Sequence, residues 1–388
     1  MDRSPRCNPD AVKRLACEAA LARGAAAVRV ADAHENSNAA RAMREAFARG
    51  DFATWPYDDT YAAKAADPQH VLAGARAVIC IAFPYRTQQP QEPPLSGRVS
   101  NYAWSADYHH RVKAQLREIA AEIDALAGEP VTAIACDTKP LAERAFAARA
   151  GLGWIGKHTN LITPQAGSFV FLGEIVTTLP LAPDQPLRKN CGSCTRCIPA
   201  CPTGALRGDY TIDATRCISD LTQRTDAIPR AMRPLIGQWV WGCDLCQTAC
   251  PPNSRTGARG GDADRPMTPE TSTPELMRLL QLRSGEFKRT YARTAMGWRG
   301  AAILRRNAAV ALGNSLDRAA VPALARALCE DPHPQVRAHA AWALGRIASP
   351  AAIAALRERP GKEADEAVRE EVLAALEPFG APCALETV

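Results

Sequence analysis

The chain has 388 residues, enough for two or three domains with substantial cores. Its net charge of +6 permits a nucleic-acid partner without demanding one. Hydrophobic residues make up 47% but aromatic residues only 6%, alanine supplying much of the difference, which favours helices over sheet sandwiches. The opening residues Met1–Asp10 lack the apolar core of a signal peptide and any twin arginine, and no run of about 18 apolar residues occurs, so the expectation is a cytoplasmic protein that crosses no membrane.

Alanine-rich amphipathic patterns predict helices near 10–23 and 38–49. Asp67-Pro68 starts a turn, and the apolar run 77–83 reads as a buried strand ended by Pro84. After a proline-rich loop, 107–126 places Val112, Leu116, Ile119, Ile123 and Leu126 on one helical face, stopped by Gly128 and Pro130. Residues 131–136 form a second strand, 141–150 a helix, and 168–176 a third strand. Strands interleaved with helices predict an α/β domain over 1–180.

Three stretches there are candidates for chemistry. The polar junction Asn101 to His110 offers Asp107, Tyr108 and His109, with an Asp helix cap and exposed histidines as the plainer alternative. Asp137 follows the strand 131–136, and ligands collect at the carboxyl ends of α/β strands; a cap on the next helix is the competing reading. Gly151-Leu-Gly153-Trp-Ile-Gly156-Lys157-His158 matches neither the phosphate loop nor the dinucleotide fingerprint, so neither ATP nor NAD is supported. It reads as a flexible turn whose glycines would let backbone approach a large planar cofactor.

Cysteines dominate the next segment. Cys191, Cys194, Cys197 and Cys201-Pro202 have the bacterial-ferredoxin spacing Cys-x2-Cys-x2-Cys-x3-Cys-Pro. Two-residue gaps let three thiolates converge from a tight loop, while the fourth, ahead of a proline, serves a second cluster. Cys243, Cys246 and Cys250-Pro251 repeat the pattern without its first cysteine, Val240 standing in that place and Cys217 substituting. Two four-iron clusters are therefore expected, one on Cys191, Cys194, Cys197 and Cys250, the other on Cys201, Cys217, Cys243 and Cys246. A structural zinc site does not explain three successive short gaps before Cys-Pro, and a disulfide framework does not suit a reducing compartment. This segment, 181–255, is expected to be a ferredoxin-like α+β domain. The basic residues Arg224, Arg230 and Arg233 within it are candidate contacts to a nucleic-acid backbone, an ordinary basic loop being the alternative.

Residues 256–274 read as a connector, and 275–388 as an all-α HEAT-like stack. The repeat period is 32 residues: Arg305, Arg337 and Arg369 align, as do Leu312, Leu344 and Leu376. Breakers at Asp331–Pro334 and Ser349-Pro350 mark the turns between helices. Such stacks bind macromolecules, and Arg299, Arg305, Arg306, Arg337 and Arg346 are expected to share one face.

Together these motifs resemble the epoxyqueuosine reductases. The matching residues are Ala66-Asp67-Pro68, Tyr102-Ala103, Asp107-Tyr108-His109, Asp137, Glu143-Arg144, Ala150 to Lys157, the eight cysteines with Gly242-Cys243-Asp244, Arg306-Asn307 and Leu312-Gly313-Asn314. The resemblance implies a cobalamin in the N-terminal domain, fed with electrons by the two 4Fe-4S clusters. It implies reduction of epoxyqueuosine to queuosine at the wobble position of tRNA. Asp137 takes the position of the proton donor, which requires a raised pKa. Cofactor contacts carry over to Tyr108, His109, Asp137, Arg144, His158, Leu161, Ser219 and Thr222. The sequence departs from the family's commoner residues at Asn101, His158 and Asp220. An external donor such as a flavodoxin or ferredoxin, and a monomeric state, are the accompanying expectations. A cobalamin-dependent reductive dehalogenase and a ferredoxin-like carrier on a HEAT scaffold are the alternatives.

Overall fold

The computed structural model describes residues 8–256 and 267–380, so Cys7, Cys383 and part of the predicted connector lie outside the described residues. The chain divides into two compact units that do not follow three consecutive domains. One comprises 8–88, 107–215 and 244–256, and the other 89–106, 216–243 and 267–380. The ferredoxin-like stretch is therefore shared, its first cysteine run in one unit and Cys217 and Cys243 in the other.

The first unit is built on four strands, β1 (Ala27–Asp32), β2 (Ala77–Pro84), β3 (Thr132–Ala135) and β4 (Val170–Thr177). They lie in the order β1-β2-β4-β3. Every neighbouring pair is antiparallel. This corrects the expected α/β arrangement: there is no shared carboxyl edge, and β1, whose Arg29 interrupts a short apolar run, was not anticipated. β2 is buried along nearly its whole length, as its unbroken apolar sequence requires of a central strand covered on both faces.

Helix α1 (Pro9–Ala22) starts with Asn8 accepting the Asp10 N–H and Pro9 in the first turn. α2 (Tyr108–Ala127) packs Val112 and Leu116 against one face of the sheet at Gly173, where a Cβ would lie 2.9 Å from Leu116. α2 ends at Gly128, whose left-handed backbone (φ 77°) closes the last turn on Asp124 O. α3 (Glu143–Arg149) covers the opposite face, setting Phe146 and Ala147 against Val78, Cys80 and Ala82. Burial of the Phe146 ring contributes about 2–3 kcal/mol. These two helices bring the residues after β3 against the start of α2.

In the second unit five helices make the repeat: α4 (Ala301–Ser315), α5 (Val321–Glu330), α6 (Pro334–Ile347), α7 (Pro350–Arg357) and α8 (Glu366–Leu376). Each predicted breaker falls at a helix boundary, its last proline, Pro334 or Pro350, opening the next helix. The period is visible in the contacts. Gly313 of α4 lies so close to α6 that a Cβ would meet Ala343 at 2.8 Å, and Gly345 of α6 stands likewise to Ala375 of α8, at 2.8 Å. Arg305 pairs with Asp331 at 2.6 Å, and its repeat partner Arg337 pairs with Glu363 at 2.9 Å. Both arginines are mostly buried, at 14% and 13% side-chain exposure.

Arg306 is wholly buried and donates to the carbonyls of Arg224 and Asp226, both at 2.8 Å, and of Leu221 at 3.1 Å. Asn307 donates to Thr222 O and Val240 O, and Asn314 to Arg233 O and Gly237 O. The expected basic face is thus corrected at Arg305, Arg306 and Arg337, which point inward to carboxylates and carbonyls. Arg306 and the two asparagines clamp the segment 221–240 to the helical stack. Among the described residues, no helix is long and apolar enough to cross a membrane.

Candidate active site

The polar residues singled out in the first unit converge at one place. Asp107 caps α2, and its Oδ1 accepts both the His109 N–H, at 3.0 Å, and His109 Nδ1, at 2.6 Å. The other ring nitrogen, Nε2, lies 2.9 Å from Asp137 Oδ2, to which Tyr108 also donates at 3.2 Å. Two carboxylates therefore hold one imidazole by both nitrogens. The residue that caps α2 is also one of the two carboxylates that hold the imidazole.

Tyr108 stacks on Phe171 of β4, with centroids 4.1 Å apart and planes 3° from parallel, and Phe171 stacks on Tyr85. The turn after β3 gives Asp137 a left-handed backbone (φ 56°), which costs about 1 kcal/mol in a residue other than glycine. Glu143 accepts the Asp137 N–H, Lys113 donates to Thr138 Oγ1 at 2.7 Å, and Ala142 N–H donates to Ala65 O. The Asp137 side chain is 59% exposed, so its carboxyl is accessible from solvent.

In the protein alone, the protonation pattern at Asp137 runs opposite to the raised value that the resemblance asks of it with a corrin packed against it. The hydrogen bond from His109 outweighs burial and holds this carboxyl below the ordinary range. Burial disfavours the His109 cation, but hydrogen bonds to Asp107 and Asp137 overcome it and raise His109 to about 9. Near neutral pH the proton resides on the imidazole, and both carboxylates are charged.

Arg144 is solvent-exposed and donates to Thr159 O at 2.7 Å. His158 is 2% exposed, its Nε2 meets no partner among the described residues, and burial lowers it to about 4, so the ring is neutral. Leu161 is buried in a two-residue ladder with Ile155. In the second unit, Ser219 O and Oγ accept from Gln223. Thr222 Oγ1 donates to Ile218 O and accepts the Gly242 N–H, so its proton is committed within the unit.

The Gly151–Lys157 stretch is a packed turn rather than a flexible one. A Cβ on Gly151 would lie 2.1 Å from Gln185 O, and one on Gly153 2.4 Å from Ile162 O. Gly151 and Gly153 admit the protein's own backbone, whereas Gly156 lies against the side chains of Ile162 and His158. Trp154 and Ile162 press on Cys250, and the Lys157 N–H donates to Cys191 Sγ at 3.4 Å. Burial, together with the nearby Cys191, Cys197 and Cys194 sulfurs, pushes the Cys250 thiol up to about 12. Two thiols raised by burial and neighbouring sulfurs, Cys197 and Cys250, suit a positively charged iron–sulfur core, which reverses the penalty.

Of the arginines proposed for a nucleic-acid backbone, Arg224 is 5% exposed and pairs with Asp220 at 2.5 Å. Arg233 is 3% exposed and pairs with Glu371 at 2.9 Å. Both are turned inward. Asp220, one of the departures from the family's commoner residues, is what holds Arg224. Arg230, 43% exposed, shares Glu371 from the surface.

Comparison with known proteins identifies the family. Three family models match: "Epoxyqueuosine reductase QueG, DUF1730" over residues 66–138, the 4Fe-4S double cluster binding domain over 190–253, and HEAT repeats over 298–377. An epoxyqueuosine reductase of Bacillus anthracis is 37% identical over 320 residues, covering 81% of this chain and 84% of the relative. The chain belongs to the epoxyqueuosine reductase family. A crystal structure of an epoxyqueuosine reductase with an epoxyqueuosine-modified tRNA-Tyr stem loop superposes with TM-score 0.89 at 32% identity, covering 95% of this chain and 99% of the other. A Bacillus subtilis epoxyqueuosine reductase described with its catalytic aspartate loop swung out of the active site superposes with TM-score 0.88, at the same identity and coverage.

Proposed function

We propose that this chain reduces the epoxide of epoxyqueuosine in tRNA to the alkene of queuosine, consuming two electrons and two protons and releasing the oxygen as water. Support comes from family membership and, in this chain's own residues, from the Asp107–His109–Asp137 array.

Cobalamin is the group the family implies, and the residues fit it. Corrin side-chain amides carry carbonyl acceptors, and the Arg144 guanidinium and the Nε2–H of neutral His158, whose Nδ1 already accepts the Asn160 N–H, offer donors to them. Tyr108, with its ring braced on Phe171, His109, Leu161 and Ser219 complete the proposed contacts. When bound, cobalamin supplies low-potential reducing electrons to the substrate. Cys191, Cys194, Cys197 and Cys250 hold one 4Fe-4S cluster, and Cys201, Cys217, Cys243 and Cys246 the other.

The protein's own part in the chemistry is to deliver protons. His109 is charged at neutral pH and directs its Nε2–H at Asp137 Oδ2. As negative charge develops on the departing oxygen, the first of the two protons passes from Nε2 to Oδ2 and from Asp137 to that oxygen, and the second comes from solvent, to which Asp137 is open. Asp107 holds Nδ1 throughout, fixing the ring and stabilising the cation before transfer. Asp137 thus needs no raised pKa of its own, because the stored proton is one hydrogen bond away. Arg230 is the proposed phosphate contact that remains at the surface.

The test is anaerobic reconstitution followed by conversion of an epoxyqueuosine anticodon stem-loop, read by nucleoside mass spectrometry. The intact enzyme should retain cobalamin and form queuosine. Asp137→Asn should keep cobalamin and iron yet lose at least about 100-fold in single-turnover rate. Full turnover by that variant would rule out the assigned role.

A further inference from the structure

Behind the Asp137 turn lies a pair of carboxyl groups that the proton relay does not use. Glu174 stands in the middle of β4, paired with Cys80 of β2 and Ala135 of β3, and is wholly buried. Strand alternation decides where it points. Gly173 faces α2, so Glu174 faces α3. Among the described residues no N–H or O–H reaches either carboxyl oxygen of Glu174. Its neighbour on that face is the carboxyl of Glu143, the first residue of α3, and the two groups act on each other's protonation. Glu143 in turn accepts the backbone N–H of Asp137.

Two carboxylates offer each other only lone pairs, so this contact holds only with a proton between them. The ionisable groups around the pair come from every packed element: Tyr61 from the helix Asp59–Ala66, Cys80 from β2, Cys136 and Asp137 from the end of β3, and Arg144 from α3. Arg144 is the cation among them, and it acts on Glu143. Glu174 feels burial first, then the charges of Glu143 and Asp137, and all of these favour its acid form.

We infer that Glu174 carries a proton and donates it to Glu143, and that this acid–carboxylate pair is the latch holding the Asp137 turn in its left-handed conformation. Neither residue touches reacting atoms; both are positioning residues. The shared proton leaves the pair with one negative charge, on Glu143 beside Arg144, rather than two next to the charged Asp107 and Asp137. The positioning role rests on the function proposed above for Asp137, whereas the shared proton does not.

The two parts are tested separately on the full chain with clusters and cobalamin bound. An infrared difference spectrum between wild type and Glu174→Gln near neutral pH should show the C=O stretch of a protonated carboxylic acid in wild type only. Because the folded acid holds its proton above the ordinary value of 4.5, wild type should lose stability relative to Glu174→Gln as pH rises beyond that value. Gln donates as the acid does, so Glu174→Gln should keep the single-turnover rate within about twofold. Glu143→Ala removes the acceptor of the Asp137 N–H and should cost roughly tenfold in rate, with cobalamin and iron retained. Absence of the acid band in wild type overturns the shared proton. A Glu143→Ala enzyme with the wild-type rate overturns the latch. Full activity of Asp137→Asn would instead remove the catalytic reading and leave the infrared result standing.

Discussion

Replacing His109 by glutamine tests the proton store most directly. Its two carboxylate partners raise this imidazole from 6.5 to about 9, a preference for the cation of about 3 kcal/mol at full strength. Asp137 is 59% exposed, and solvent screening reduces that to roughly 1–2 kcal/mol. An ordinary histidine is only about one-tenth protonated at pH 7.5, whereas one titrating near 9 is almost fully charged. Wild type should therefore show a flat single-turnover rate between about pH 6 and 8 that falls through about 9. His109→Gln should lose that alkaline limb and run about 100-fold slower at pH 7.5. Asp107→Asn should keep the limb but move it towards 6.5, because one of the two anions is gone. Stability carries the same sign: the contribution is fully present below 6.5 and is lost as pH rises through about 9, in wild type but not in His109→Gln. Rates are read on an epoxyqueuosine stem-loop after confirming cobalamin and iron content by absorbance. An alkaline limb that stays in place in both variants would refute the relay.

Three further outcomes follow from the second unit. Arg306 is wholly buried, with a guanidinium that burial lowers to about 9 and leaves cationic at neutral pH. Arg306→Met strands several buried carbonyls and should lower unfolding stability by about 3–5 kcal/mol in denaturant titration. Burial alone would raise Glu363, but hydrogen bonds from Arg337, the Asp365 N–H and Arg359 overcome it and lower this carboxyl from 4.5 to about 2. Its stabilisation, about 3 kcal/mol, is present above 4.5 and lost as pH falls through about 2, so Glu363→Gln should flatten the acid limb of the melting profile. Arg230→Ala should weaken stem-loop binding and reduce its salt slope by about one, whereas Arg233→Ala should mainly lower the melting temperature, because Arg233 is buried against Glu371.

Much of the chemistry was legible because it depends on residue type at fixed local spacing. Cysteine gaps, the Asp107 cap and the position of Asp137 after a strand are local, and so is the 32-residue repeat that recurs as Arg305–Asp331 and Arg337–Glu363. The inward turn of Arg224, Arg233 and Arg306 was not legible. A basic loop and a buried clamp have the same composition, and only the carboxylates and carbonyls facing them decide between the two. Strand direction was likewise beyond local pattern: the run 77–83 is equally apolar in a parallel or an antiparallel sheet, and the pairing partners settle it.

By itself the sequence determined which ligands, caps and repeat positions this protein possesses, because those follow from side-chain chemistry and periodicity. Only the tertiary structure decided where the protons and charges reside. It set His109 between two carboxylates, so the stored proton belongs to the imidazole rather than to Asp137. It also brought Glu174 of β4 against Glu143 of α3, residues 31 positions apart in the chain. Protonation depends on the distances and burial that folding creates, and no spacing in the chain encodes those.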